Sequence, residues 1–386
     1  MREGRMKIPG YSSIEEVEKE FGVRIPPAVK KKLLKVVERH PMFIPKYYGK
    51  LIDWNNPNDP IKKIIFPSVY ELNASGSYDT SGERENTVLT GLQHKYRETA
   101  LLLVTNRCAG YCRHCFRKRM VGLPTKETVR LFNEALSYIK EHKEITNVLI
   151  SGGDPLTLPT EVIEHFLKEL SKVPHLRYIR LGSRIPVFYP ERIYGDKKLL
   201  AVLSKYSTPE RRVYLVTHFN HPREVTPEAR RAVDALLKSG VPVSNQAVLL
   251  KGVNDKPEIL RELMNRITSA GVIPYYVFQC RPVKRVKHHF QVPLKRGYEV
   301  IAKAKQFLDG HAKRFKYVMS HRTGKIEILG VIGNEIFLRY HQAKDPAKVG
   351  RIFKRLLTPG ASWFDDLLPV GHERNLQKVE ESWGSN

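Results

Sequence analysis

From residue 100 onward, short apolar runs alternate with longer amphipathic stretches. The runs are ALLLVT (100–105), NVLIS (147–151), YIRLGS (178–183), VYLVTHF (213–219), PVSNQAVLL (242–250) and PYYVFQC (274–280). Their length and β-branched content predict strands. Between them, TKETVRLFNEALSYIKEH, TEVIEHFLKEL, GDKKLLAVLSKY, TPEARRAVDALLKSG and KPEILRELMNRITSAG place apolar residues at helical spacing. Thr or Pro opens several of these and Gly closes two, as helix capping favours. Strand–helix alternation implies parallel strands with right-handed crossovers. Six repeats fall two short of a closed eightfold barrel. The pattern therefore predicts an α/β fold with a partial, TIM-like (β/α)6 barrel and chemistry at the C-terminal ends of its strands.

The flanks read differently. Residues 1–98 are expected to form an N-terminal extension that wraps the core. It is helical in EEVEKEF and PPAVKKKLLKVVERH and irregular over 41–98, which is rich in Pro, Asn, Tyr and Gly. Residues 99–310 form the barrel. Residues 311–386 are expected to form a C-terminal appendage that covers the active site. It opens with another strand, KYVMS, and a turn at HRTGK. A hairpin turning at Gly333–Asn334 follows, then a polar tail.

Charge adds a constraint on partners. Lys and Arg number 66 against 40 Asp and Glu, a formal charge of +26. Such a surface attracts polyanions. Nucleic acid is one candidate, although zinc-finger spacing and RNP-type aromatics are both lacking. A negatively charged small-molecule substrate is another. Uncharged apolar runs long enough to span a bilayer are absent, and the basic N-terminus lacks a secretory core, so neither membrane nor export is expected. Three of the four cysteines fall within eight residues. Clustered thiols point to metal or redox chemistry in a reducing cytoplasm.

The clustered thiols are Cys108-x3-Cys112-x2-Cys115, immediately after the first barrel strand. Three thiolates on one loop can ligate three irons of a [4Fe–4S] cube and leave the fourth iron open. The alternative is a zinc site, with His114 supplying the fourth ligand that zinc wants. At the end of the second strand stands SGGDPLTL (151–158). Gly152 and Gly153 permit close approach of a ligand, and Asp154 can accept from an ammonium or start a helix.

The cysteine spacing and the GGD turn resemble the radical S-adenosylmethionine (SAM) superfamily. HPMFIPKYYGKLID, LVTNRCAGYCRHCFRKR, LISGGDPL, RLGSRIPVFYPERI, THFNHPREVT, NQAVLLKGVND and PYYVFQC resemble, in order, the lysine 2,3-aminomutase family over roughly residues 41–310. The resemblance implies an isomerase that cleaves SAM reductively to a 5′-deoxyadenosyl radical, which abstracts hydrogen from the substrate. It implies a [4Fe–4S] cluster on Cys108, Cys112 and Cys115. It implies SAM contacts from Gly152, Gly153, Asp154, Ser183, Arg184, His218 and Gln246. An external donor of flavodoxin or ferredoxin type would supply the electron, and a homo-oligomer is consistent with the family. Arg117 matches an arginine that grips the substrate carboxylate, and Lys95 stands near the expected phosphate of pyridoxal phosphate.

Two departures change the expected substrate chemistry. Where the family places an aspartate for the ε-ammonium of lysine, this chain has Arg281, which would repel lysine and attract an acid. Alternatively, Arg281 joins the basic run 281–289 and faces solvent. The family's glycine-rich loop carrying the pyridoxal phosphate lysine is also missing. Either Lys325 in HRTGK takes that role from a shortened turn, or the segment is deleted and the radical starts another rearrangement, reduction or modification without that cofactor. The latter could act on a nucleic acid or a protein.

Overall fold

The computed structural model describes residues 6–371. A two-residue antiparallel pair, β1 (Gly10–Tyr11) and β2 (Ile44–Pro45), lies in the N-terminal extension. All the other strands join one sheet. In chain order these are β3 (Thr87–Leu89), β4 (Leu92–Tyr96), β5 (Thr99–Thr105), β6 (Asn147–Gly152), β7 (Tyr178–Gly182), β8 (Arg212–Thr217), β9 (Val243–Leu249), β10 (Ile273–Gln279), β11 (Lys316–His321), β12 (Gly324–Ile332), β13 (Glu335–Ala343) and β14 (Ile352–Leu356). They stand side by side in sequence order, from β3 at one edge to β14 at the other.

The six expected barrel strands, β5 to β10, are present within two residues of their predicted ends and pair in parallel. KYVMS extends the parallel run as β11, beside β10. The hairpin β12–β13 turns at Gly333–Asn334, as expected, and β14 pairs with β13. The sheet remains a partial barrel, with no ladder between its two edges among the described residues. Side chains bridge the gap instead. Lys95 of β4 donates to the His321 carbonyl at the end of β11 (2.5 Å), and Arg281 after β10 donates to Ser81 (2.8 Å).

Alternation along the strands sorts residues between the helical layer and the interior. In β9, Val243, Asn245, Ala247 and Leu249 are buried, whereas Gln246 and Val248 line an interior cavity. The helices Thr160–Ser171, Lys197–Tyr206, Pro227–Lys238 and Pro257–Ser269 occupy their predicted places. Asp196 and Thr226 cap two of them. The segment 125–142 departs from expectation. Its helix runs only over Phe132–Glu141, because Val129 donates its N–H to the Leu103 carbonyl and holds the preceding chain alongside β5. The polar end of the expected tail, 372–386, lies outside the described residues.

Candidate active site

The cysteine loop leaves β5 at Thr105 and is anchored on two sides. On the barrel side, Gly153 N–H donates to the Thr105 carbonyl (2.5 Å) and Asp154 N–H to the Arg107 carbonyl (2.6 Å). Gly152 has φ +111°, and a Cβ on Gly153 would collide with the Arg107 backbone. The paired glycines therefore serve first to press the end of β6 against the cysteine loop.

On the other side the N-terminal extension grips the loop. Tyr111 N–H donates to Phe43 O (3.0 Å) and Arg113 N–H to Ile64 O (2.8 Å). Arg113, which follows Cys112 in the loop, has a buried guanidinium. It donates to Glu71 and to the carbonyls of His40 and Pro41. Lys118 reaches the same Glu71 at 2.5 Å. Burial alone would raise the Glu71 carboxyl, but Arg113 and Lys118 overcome it and hold its pKa down at about 2.

The end of the barrel opens into a cavity of about 320 Å³. Cys108, Cys112 and Cys115 line it, as do Gly152, Gly153 and Asp154. Ser183, Arg184 and His218 face the same space from the ends of β7 and β8, and Gln246 from the middle of β9. Arg117, Arg281, Lys95 and Lys325 complete the set. Every site residue read from the sequence thus meets in one cavity.

Their partners differ. Asp154 is buried, which raises its carboxyl to about 6. It accepts from the backbone N–H of Arg184 (2.7 Å) and of Leu156 (3.1 Å). His218 is held neutral: burial and then Arg184 lower its pKa to about 3. The Arg117 fork is engaged by Glu83, with contacts at 3.2 and 3.1 Å, and by Ser151 and the Gly152 carbonyl. Arg281 does not face solvent. It stacks 4.2 Å from the Phe116 ring centroid and donates to Ser81 Oγ (2.8 Å) and Ser320 Oγ (3.0 Å).

Lys325 departs most from its expected setting. It lies in β12 rather than on a turn, opposite Ser320. Its Nζ donates to Gln342 (3.0 Å) and sits 4.8 Å from the Tyr276 ring centroid. Burial, and then Arg180, Arg281 and Lys95, lower its pKa to about 7. Burial and then Arg281 bring Lys95 to about 7 as well.

Several residues here had no sequence motif. Ser81, Glu83, Tyr96, Ser320 and Gln342 line the cavity from segments read as irregular or as appendage. Arg180 had a signal, being an arginine in mid-strand in YIRLGS, and it too faces the cavity.

The three thiols share the cavity wall, yet no compact cage of His, Cys, Asp or Glu fit for a single metal ion forms among the described residues. Three cysteines spread along one loop suit a larger multi-iron cluster.

Comparison with known proteins agrees. A profile of the Radical SAM superfamily matches residues 102–264. A protein of Aquifex aeolicus described as "Putative L-lysine 2,3-aminomutase" is 44% identical over 353 residues, covering 91% of this chain and 94% of that one. The L-lysine 2,3-aminomutase of Clostridium subterminale is 39% identical over 277 residues, 71% of this chain and 64% of the enzyme. The glutamate 2,3-aminomutase of Clostridioides difficile is 38% identical over 271 residues, 70% of this chain and 63% of the enzyme. The match thus spans nearly all of the Aquifex protein but under two thirds of the two clostridial enzymes. Among the described residues, no helix is long and apolar enough to cross a membrane. With a [4Fe–4S] cluster and SAM as its cofactors, this chain belongs to the lysine 2,3-aminomutase family of radical SAM enzymes.

Proposed function

We propose that the chain is an isomerase that abstracts hydrogen from a small amino acid bearing an acidic side group, rather than from free lysine. The observation that carries this is Arg281. Among the described residues its hydrogen-bond partners in the cavity are two hydroxyls, at the position where lysine-specific relatives are expected to hold a carboxylate, while the nearby Glu83 carboxylate is already held by Arg117 and Arg119. A guanidinium fork with two neutral partners is free to take an oxyanion bidentately. An ammonium in the same place would be repelled by the Arg281 guanidinium.

The geometry supports the other roles. Cys108, Cys112 and Cys115 hold the cluster, which with SAM supplies the 5′-deoxyadenosyl radical. Asp154, Ser183, Arg184, His218 and Gln246 surround the space beside it and orient SAM. Arg117 meets the substrate α-carboxylate only by giving up contacts to Glu83, so the side-group acid is assigned to Arg281 first.

The far wall also fits pyridoxal phosphate. Lys325 offers an amine that is largely unprotonated above about pH 7, the state a Schiff base requires. Lys95 offers a cation for the phosphate. When bound, pyridoxal phosphate would supply an aldehyde carbon that carries the substrate's amino nitrogen while that nitrogen moves between neighbouring substrate carbons. Residues 99–310 carry this chemistry, 1–98 brace the cysteine loop, and the chain beyond 311 supplies Ser320, Lys325 and Gln342.

The test uses anaerobically reconstituted, dithionite-reduced protein with SAM and pyridoxal phosphate. 5′-Deoxyadenosine is measured by mass spectrometry with glutamate and with lysine, against a Cys112→Ala control. Cysteine-dependent product that rises with glutamate and not with lysine is the expected result. Equal or greater stimulation by lysine would remove the acidic-substrate reading.

A further inference from the structure

Arg184 is placed by the turn between β7 and the short helix Ile185–Phe188. Its Nη1 donates to Cys112 Sγ at 2.8 Å, and its Nη2 to Glu224 Oε1 at 2.8 Å. Glu224 has no exposed surface and is itself fixed from three directions. Its Oε1 accepts from the Tyr48 hydroxyl (2.5 Å), and its Oε2 from the backbone N–H of Asn220 (2.6 Å) and of His221 (3.1 Å). The Phe188 ring lies 4.2 Å from the guanidinium carbon. The guanidinium is therefore locked between a ring, a carboxylate and a cysteine sulfur. Among the described residues, no other side-chain donor reaches the sulfur of a loop cysteine. Arg113 is nearer in sequence, but its donors are taken by Glu71 and two backbone carbonyls.

We propose that Arg184, positioned by Glu224 and Tyr48, raises the reduction potential of the cluster by holding a cationic N–H on the Cys112 sulfur. This rests on the three cysteines being the cluster ligands. Reduction adds one electron to the cluster, delivered by an external one-electron carrier, with no bond made or broken in the protein. The added negative charge spreads onto the ligand sulfurs. A cationic donor on one of them stabilises the reduced form more than the oxidised form, and hydrogen bonds to cluster sulfurs are an established lever on potential. Arg184 and Glu224 are both buried, so the attraction is weakly screened. The arrangement ties cluster reduction to the N-terminal extension through Tyr48 and to the 220–224 turn through Glu224.

The test is an EPR-monitored redox titration of the reconstituted full chain, without SAM, alongside Arg184→Lys and Arg184→Gln. Iron and sulfide analysis sets cluster content. The expected order is the unchanged protein highest, Arg184→Lys lower and Arg184→Gln lowest. An exchangeable-proton coupling on the reduced cluster should be present in the unchanged protein and lost in Arg184→Gln. A potential in Arg184→Gln equal to or above that of the unchanged protein, at equal cluster content, overturns the proposal. If Arg184→Gln does not retain the cluster, Arg184→Lys decides alone, because it keeps the charge and loses the fork. Equality with the unchanged protein then overturns it. Failure of the unchanged protein to assemble any cluster would instead overturn the assignment of the cysteines.

Discussion

The two walls of the cavity are both rich in cations but differ in what those cations face. On the cluster wall and in the cysteine loop behind it, these cations are matched by buried carboxylates: Arg113 and Lys118 by Glu71, Arg184 by Glu224, Arg117 and Arg119 by Glu83. On the far wall the partners are neutral. Lys95 donates to the carbonyls of Ser81 and His321, Arg281 to two serine hydroxyls, and Lys325 to Gln342. Removing a charge from water costs several kcal/mol unless it is paired, roughly the scale of a domain's whole stability. Matched pairs can therefore brace a loop. Unmatched cations are a standing cost, lowered by releasing protons and offset when an anion binds. The cluster wall is built for rigidity, and the far wall for a ligand.

The comparison breaks most visibly at the cysteines. Cys112→Ala is expected to lower iron content and reduce 5′-deoxyadenosine formation to background, measured with SAM and dithionite. Glu71→Gln comes next. It strands Arg113 and Lys118, and breaking a buried pair is expected to lower stability by about 3–5 kcal/mol in urea unfolding, with loss of cluster retention. Arg281→Ala should behave in the opposite sense. Losing one charge-assisted contact is worth about 1.5–3 kcal/mol, so kcat/KM for an acidic substrate should fall roughly ten- to a hundredfold, with unfolding unchanged or slightly improved.

The most gradual effect lies in pH. Glu71 and Glu83 are held at about 2 in the folded chain, below the ordinary carboxylate value of 4.5. Their stabilisation is full above that value and is lost as pH falls towards 2. Lys95 and Lys325 are held at about 7, below 10.5. Between those limits the unfolded chain binds protons that the folded chain does not, so their contribution to stability rises with pH from about 7 to 10.5. Lys325→Met is expected to flatten part of that alkaline rise and leave the acid limb alone, as read by denaturant midpoints across pH.

Much of the fold was legible because β5 to β10 are short, apolar and separated by capped amphipathic helices. β3 was not, since Thr87 and Val88 are exposed and the strand is only three residues long. Nor was β14, whose residues are mostly charged or exposed. The helix expected from residue 125 failed in its first half because a tertiary contact to Leu103 overrode local spacing. The site residues were legible where motifs carry them. Their partners were not: Glu224 meets Arg184 across 40 positions and Tyr48 across 176. No local pattern marks a carboxylate that distant as the anchor of a cluster-loop arginine. Lys325 read as part of a turn because only the pairing of β11 with β12 turns its side chain inward.

The most direct test of the far wall is a charge swap followed by isotope transfer. Glutamate and lysine, each deuterated at the β-carbon, are offered to the unchanged chain and to Arg281→Asp, and deuterium in 5′-deoxyadenosine is measured by mass spectrometry. Transfer from glutamate in the unchanged chain, falling in Arg281→Asp while transfer from lysine rises, is the predicted result. Transfer from lysine in the unchanged chain, indifferent to the swap, would contradict the account.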